Sequence, residues 1–244
     1  MFPWESAFSG VETCPTFAAT GLREDHINGD IAFAVWQEWS MRQDKDWLRS
    51  IGYPMLTGIA DFWVSRSTYQ ADGKAHILDI IPPDEYVDHV DDSVYTNFVA
   101  VKALNYAVQA SIALNETCDQ CAKYSQLAQD LVILFDQQLG IHPEYSGYPG
   151  NTVKQADVVL LHYPLGMEMD EAVQRADLEY YSPRTDKHGP AMTWGMHAIG
   201  FLDLGDFDSA AQFFNMSFQD NMHAPFQVWT ETVRPPPSSL AHRL

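Results

Sequence analysis

Five carboxylates fall within nine positions, from Asp84 to Asp92, in the stretch Ile80-Ile81-Pro82-Pro83-Asp84-Glu85-Tyr86-Val87-Asp88-His89-Val90-Asp91-Asp92. Acids at that density either face water or hold a proton for chemistry, and their surroundings decide which. Two prolines stiffen the backbone just before Asp84, and the apolar pairs Ile77-Leu78 and Ile80-Ile81 tie the loop to a core. A carboxyl held between such a loop and the ring of Tyr86 can be kept protonated by desolvation, as a general acid requires. A solvated acidic loop is the simpler reading of the composition, and the spacing fits no EF-hand calcium loop.

The elements that must position this loop are helical. Ile31, Val35 and Trp39 step by four, predicting a helix over about 27–49; a second runs from Met55 to Tyr69. After the acidic loop, Val94, Phe98, Val101, Leu104, Val108 and Ile112 form a long apolar stripe. Tyr124, Leu127, Leu131 and Leu134 continue the pattern, with Gly140 as the expected stop. Helices over Met192–Leu204 and Ala210–Met222 flank the turn Gly205-Asp206-Phe207-Asp208. Val153 to Leu161 reads equally as a strand or a buried helix. Helix pairs joined by uneven loops predict an all-α bundle, solenoid or toroid of helical hairpins, and no fixed-period repeat favours the solenoid.

Composition narrows the function classes. The 244 residues are 46% hydrophobic and 13% aromatic, enough for one sizeable core and unlike a disordered chain. A net charge of -19 argues against nucleic acid or an anionic membrane surface as partner. No apolar run is long enough to span a bilayer. Of the three cysteines, Cys118 and Cys121 are spaced Cys-Asp-Gln-Cys, with no second pair to complete a zinc tetrahedron and no βαβ context for a redox motif. The expectation is that the pair is incidental to a helix start. Two sequons, Asn115-Glu116-Thr117 and Asn215-Met216-Ser217, matter only in a secreted chain.

The acidic loop belongs to a longer ordered set of motifs. Pro83-Asp84-Glu85-Tyr86 with the following Asp91 to Asn97 resembles the hallmark of glycoside hydrolase family 65. The same family's pattern is resembled by Trp4-Glu5-Ser6-Ala7, by EDHINGDIAFAVWQ at 24–37, by DFWVSR at 61–66, by NTVKQADVVLLHYP at 151–164, by GPAMTWGMHAIG at 189–200 and by PFQVWTE at 225–231. Together these cover residues 2 to 231, nearly the whole chain. The resemblance implies a fold, a partial (α/α)6 toroid of helical hairpins over 1–233, with a disordered or aberrant tail over 234–244. The family's N-terminal sandwich and its Trp-Asp-x-Glu motif would lie before Met1, so a truncated or mis-spliced gene model is expected.

Roles carry over by position. Glu85 matches the general acid and Glu231 the general base of an inverting α-glucosidase, whose two carboxyls stand roughly 6.5–9.5 Å apart to admit water. Lys154 and Gln155 match a pair that bonds the glucose hydroxyls, and Trp4 and Glu5 match residues lining the same pocket. The implied substrate is a small carbohydrate, first the glucosyl-galactose unit on hydroxylysine, with trehalose or kojibiose as alternatives. No metal or organic cofactor is implied. Phosphorylases of the family carry a His-x-Ser-Ser type phosphate loop where this chain has His188-Gly189-Pro190-Ala191-Met192-Thr193, which favours hydrolysis. Val87 replaces a usual His, and Asp92 replaces a common Asn, adding a charge near the acid. A catalytically inactive sugar-binding or structural fragment is the reading from a different class. Taken singly, Trp4 and Trp229 could be core aromatics and Lys154 a surface lysine at a helix start.

Overall fold

The computed structural model describes residues 1–6, 8–15 and 17–232; the tail expected over 234–244 lies outside these. The chain divides into two compact units, the first made of Met1–Asp136 and His142–Tyr148, the second of Gln137–Ile141 and the described residues from Pro149 onward.

In the first unit a short α1 (Thr20–Arg23) leads into α2 (His26–Arg42), α3 (Lys45–Trp47), a π-turn over Leu48–Gly52 and α4 (Tyr53–Arg66). A two-residue hairpin, β1 (Thr68–Tyr69) with β2 (Ala75–His76), precedes the acidic loop, and α5 (Val94–Leu114) and α6 (Cys121–Asp130) follow it. The helix expected over 27–49 thus ends at Arg42, because Gln43 turns left-handed at φ 53° and Asp44 caps a new start by accepting from Asp46 and Trp47 N–H.

The central helix is α5, packed against α2, α4 and α6. Ser93 caps it by accepting from Thr96 N–H at 3.2 Å, and Asn115 ends it at φ 56°, a conformation Asn tolerates. Ala100, Ala103, Ala107 and Ala110 are fully buried, so neighbouring backbones come close. A methyl added at Gly29 of α2 would lie 2.6 Å from Val99 Cγ1, which is why that crossing requires glycine. Ile112, expected on the buried stripe, is instead 72% exposed near the helix end.

Three expectations are corrected. Cys118 and Cys121 are not incidental to the helix start: they form a disulfide where α6 begins. That helix stops at Asp130 rather than at Gly140, since Leu131 leaves it to bridge Ala75. Val153–Leu161 is neither strand nor long helix: Val153 makes a single parallel bridge to Thr185, and Val158–Leu160 is one 3-10 turn.

The second unit holds α7 (Glu171–Tyr181), a helix not expected from the sequence, followed by α8 (Met192–Asp203), α9 (Phe207–Met216) and a hairpin of β3 (Met222–His223) with β4 (Val228–Trp229). Asp206 caps α9 by accepting from Ser209 N–H at 3.1 Å. His197 on α8 is fully buried among Trp194, Phe201 and Phe213, with Thr185 Oγ1 3.4 Å from its Nε2.

Burial of a histidine in each unit makes stability depend on pH. It depresses His197 to about 4 in the second unit and His26 to about 4 in the first, both from 6.5. The unfolded chain then binds the extra proton first, so stability is complete above pH 6.5 and falls as pH drops toward 4, by about 3 kcal/mol per histidine. In the first unit Asp30, raised by burial from 3.8 to about 6, gains stability over nearly the same window and offsets most of the loss. Acidification through this window should therefore weaken the packing of α8 around His197. Hydrogen exchange, referred to intrinsic rates at pH 7 and 4.5, is expected to show α8 losing protection. A His197→Leu variant should flatten that response.

Candidate active site

The acidic loop is closed at its base. Ile80 and Val90 exchange backbone hydrogen bonds at 2.9 and 3.1 Å, and Ile81 N–H donates to Arg23 O at 3.0 Å. Pro82, Pro83 and Asp84 are buried, and Asp84 Oδ1 accepts from Tyr86 N–H at 3.1 Å. Glu85 follows directly, half-buried, while the Tyr86 ring is 52% exposed, so burial at this loop comes from the prolines and Asp84 rather than from the tyrosine ring.

Asp92 does not add a loose charge to the loop. It is buried and accepts from Ile77 N–H and Asn97 Nδ2, with His76 Nδ1 2.7 Å away. Desolvation works against the imidazolium, yet Asp92 and then Asp72 hold His76 above its ordinary value. Asp91 takes Asp79 N–H at 2.9 Å, and Asp79 pairs with His89. Three of the loop's outer acids and histidines thus staple its base. Asp88 is exposed.

Trp4 reaches the same corner of the first unit. Its ring lies 6.1 Å from that of His26, edge-on, and His26 in turn meets Tyr95, whose hydroxyl donates to Asp30 at 2.8 Å. His26 is buried against Ile81, the residue that opens the acid-bearing loop. Trp4 is 39% exposed, so it is not a core aromatic. Glu5 is exposed, and its carbonyl is held by Thr13 N–H at 2.8 Å.

Glu12 organises this N-terminal segment and was not singled out in the sequence. Its carboxylate accepts from Trp4 N–H at 2.6 Å, Glu5 N–H at 3.2 Å and Cys14 N–H at 2.7 Å, and these donors, Cys14 first, hold it below the usual carboxylate range. Such a contact has no periodic signature.

In the second unit, Lys154, Gln155 and Glu231 are drawn to one loop, 186–193. Val153 pairs with Thr185, Asp186 N–H donates to Val153 O at 2.9 Å, and Ala156 N–H donates to Thr193 Oγ1 at 3.0 Å. Lys154 and Gln155 between them are half-buried, and Lys154 is not at a helix start. Ala191 N–H donates to Glu231 O at 2.8 Å, and buried Asn221 donates through Nδ2 to Thr230 O at 2.8 Å and Glu231 O at 3.2 Å. The Glu231 side chain is exposed at the end of β4, beside Trp229, which is 40% exposed and anchored by Nε1 to Ser217 O at 3.0 Å. Next to this junction opens a cleft of about 320 Å³ lined by Lys187, His188, Gly189, Trp194, Asp220 and Asn221 among others.

The profile of the glycosyl hydrolase family 65 central catalytic domain matches residues 1–151 and 148–227. The chain belongs to glycosyl hydrolase family 65. It is 46% identical to a protein-glucosylgalactosylhydroxylysine glucosidase of Dictyostelium discoideum, over 95% of this chain and 33% of that one. A kojibiose hydrolase of Flavobacterium johnsoniae is 36% identical over 95% of this chain and 34% of its own length. This family 65 chain therefore spans about a third of the curated relatives it matches. A solved structure from the human microbiome, provisionally named a kojibiose phosphorylase, aligns with TM-score 0.75 and 21% identity over 87% of this chain and 37% of that one. The expected fold class, helical hairpins of the six-hairpin glycosidase type, is borne out. Among the described residues no helix is long and apolar enough to cross a membrane, and no group of three or more His, Cys, Asp or Glu is placed to hold a metal.

Proposed function

We propose that this chain carries the catalytic residues of an inverting α-glucosidase that releases a terminal α-linked glucose by hydrolysis. Glucosyl-galactosyl-hydroxylysine is the first substrate, and kojibiose or trehalose the alternative. The first preference is supported by the relatives named for glucosylgalactosylhydroxylysine, at 41–46% identity, against 36% for the kojibiose hydrolase.

In this reading Glu231 takes a proton from water as the water oxygen attacks the anomeric carbon, and Glu85 gives its proton to the leaving glycosidic oxygen. Lys154 and Gln155 bond the glucose hydroxyls, Trp4 offers an apolar face to the sugar's C–H groups, and Glu5 orients further hydroxyls.

One observation carries hydrolysis over phosphorolysis. The 188–191 loop has no amide left for an anion: His188 and Gly189 N–H donate to Asp186, Pro190 has none, and Ala191 N–H is spent on the Glu231 backbone. The loop that would cradle phosphate instead anchors the base.

The test is to incubate the protein with glucosyl-galactosyl-hydroxylysine, kojibiose and trehalose, with and without phosphate, following the sugar by NMR. The expected product is β-glucose, phosphate-independent and fastest from the hydroxylysine glycoside. Glucose 1-phosphate, α-glucose as first product, or no product from folded protein would each overturn the proposal.

A further inference from the structure

Two motifs left unused by the active site meet at the turn between α5 and α6. Asn115, Glu116 and Thr117 are consecutive exposed residues in an irregular segment. Asn115 ends α5 with its backbone N–H turned back to Ile112 and Ser111 carbonyls, and among the described residues no side-chain hydrogen bond engages Asn115 or Thr117. Glu116 between them is held by Arg49 at 2.8 Å, so the turn is fixed while the flanking asparagine and threonine face solvent. The next residue but one to Glu116 is Cys118, disulfide-bonded to Cys121 at the start of α6.

These are independent signals of one chemical environment. A disulfide persists where the surroundings are oxidising, and an exposed Asn-x-Thr in a surface turn is an acceptor for N-linked sugar in the same compartments. The alternatives for a Cys-x-x-Cys pair have less support: among the described residues no group of three or more metal-ligating side chains is placed to hold an ion, and the contact made by Cys121 Sγ is the neutral Ser111 hydroxyl, 3.5 Å away.

We propose that Asn115 is an N-glycosylation site and that Cys118–Cys121 is its companion structural disulfide, both formed in an oxidising secretory lumen. The transfer forms a C–N bond from the oligosaccharide's anomeric carbon to Asn115 Nδ2. It breaks that carbon's C–O bond to a polyprenyl diphosphate donor, and the amide proton leaves with the diphosphate. The disulfide forms when two thiols give two electrons and two protons to a disulfide-bearing oxidant, which becomes a dithiol.

The second sequon differs. Asn215 lies within α9, and Ser217 at its C-cap spends its hydroxyl on Phe214 O at 2.7 Å, beside the apolar groove of α8 and α9. The proposal concerns Asn115, and it stands or falls independently of the hydrolytic reading.

One tryptic peptide, residues 103–123, contains Asn115 and both cysteines. Protein purified from its own cells is alkylated without reduction, digested, and treated with peptide-N-glycosidase in oxygen-18 water. The expected result is conversion of Asn115 to labelled Asp, with Cys118 and Cys121 unalkylated. Unmodified Asn115 with the disulfide intact would overturn the glycan site, and unmodified Asn115 with both cysteines alkylated would overturn site and compartment together.

Discussion

Replacing Glu85 by Gln is expected to cut glucose release from glucosyl-galactosyl-hydroxylysine by about 10²–10⁴-fold, while hydrolysis of α-glucosyl fluoride stays largely intact. Gln keeps the size of the side chain but has no proton to give the departing sugar oxygen. Fluoride is a weakly basic leaving group and needs little protonation, so the same variant should still turn it over. Glu231→Gln predicts the complementary pattern, a loss of similar size on both substrates, because water must be deprotonated whatever departs. The two positions suit such a comparison. Glu85 is half-buried at the tip of a loop whose base is held by Ile80, Val90 and Asp92, and the Glu231 side chain is exposed while its backbone is fixed by Ala191 and Asn221. Gln preserves the size of each side chain, so a measured stability separates activity from folding. Equal losses on both substrates for Glu85→Gln would sink its role as acid, and unchanged thermal unfolding of both variants is the required control.

The role of Glu85 was read from family resemblance, but its loop stood out through carboxylate density and flanking prolines, because those features are local. Helix α5 was legible for the same reason: its apolar stripe and its Ser93 cap are contiguous in sequence. What escaped was set by contacts between distant residues. Glu12 gathers the N–H groups of Trp4, Glu5 and Cys14 through a loop closure that no period announces. Helix α7 presents only Leu178 and Tyr181 as buried apolar residues along with buried Gln174 and Asp177, too weak a stripe to stand out. The segment Val153–Leu161 misled because pairing with Thr185 fixes only its first residue. Cysteine spacing could not reveal the disulfide, since bonding depends on how the chain turns into α6. Lys154, Gln155 and Glu231 were legible only through family resemblance. Nothing in their local sequence says that they converge on the loop containing Gly189.

That convergence makes Gly189→Ala the most damaging small substitution expected in the second unit. A Cβ at this position would fall well inside contact distance of the Lys154 carbonyl oxygen and 3.2 Å from the Asp186 carbonyl oxygen. Both obstacles are backbone, so neither can swing aside as a side chain could. The methyl forces the 188–191 loop and the 153–155 segment apart, and the loop carries Ala191 and through it the Glu231 backbone. Overpacking of this kind costs about 1–3 kcal/mol of stability. A displacement of about 1 Å at residues that position substrate costs on the order of 10²-fold in rate. Gly200→Ala supplies the comparison, because its Cβ would meet Leu178 Cδ2 at 2.8 Å, the far end of a side chain, and no backbone of the 153–155 segment is among its nearest contacts. Both variants should unfold at lower temperature, but only Gly189→Ala should also lose most of its kcat/KM at temperatures where it remains folded. If Gly200→Ala loses activity to the same extent, the effect is general destabilisation and the loop does not hold Lys154 and Glu231 in place. If Gly189→Ala is the more impaired at equal fraction folded, one glycine sets the geometry between the residues proposed to grip the glucose and the residue proposed to activate water.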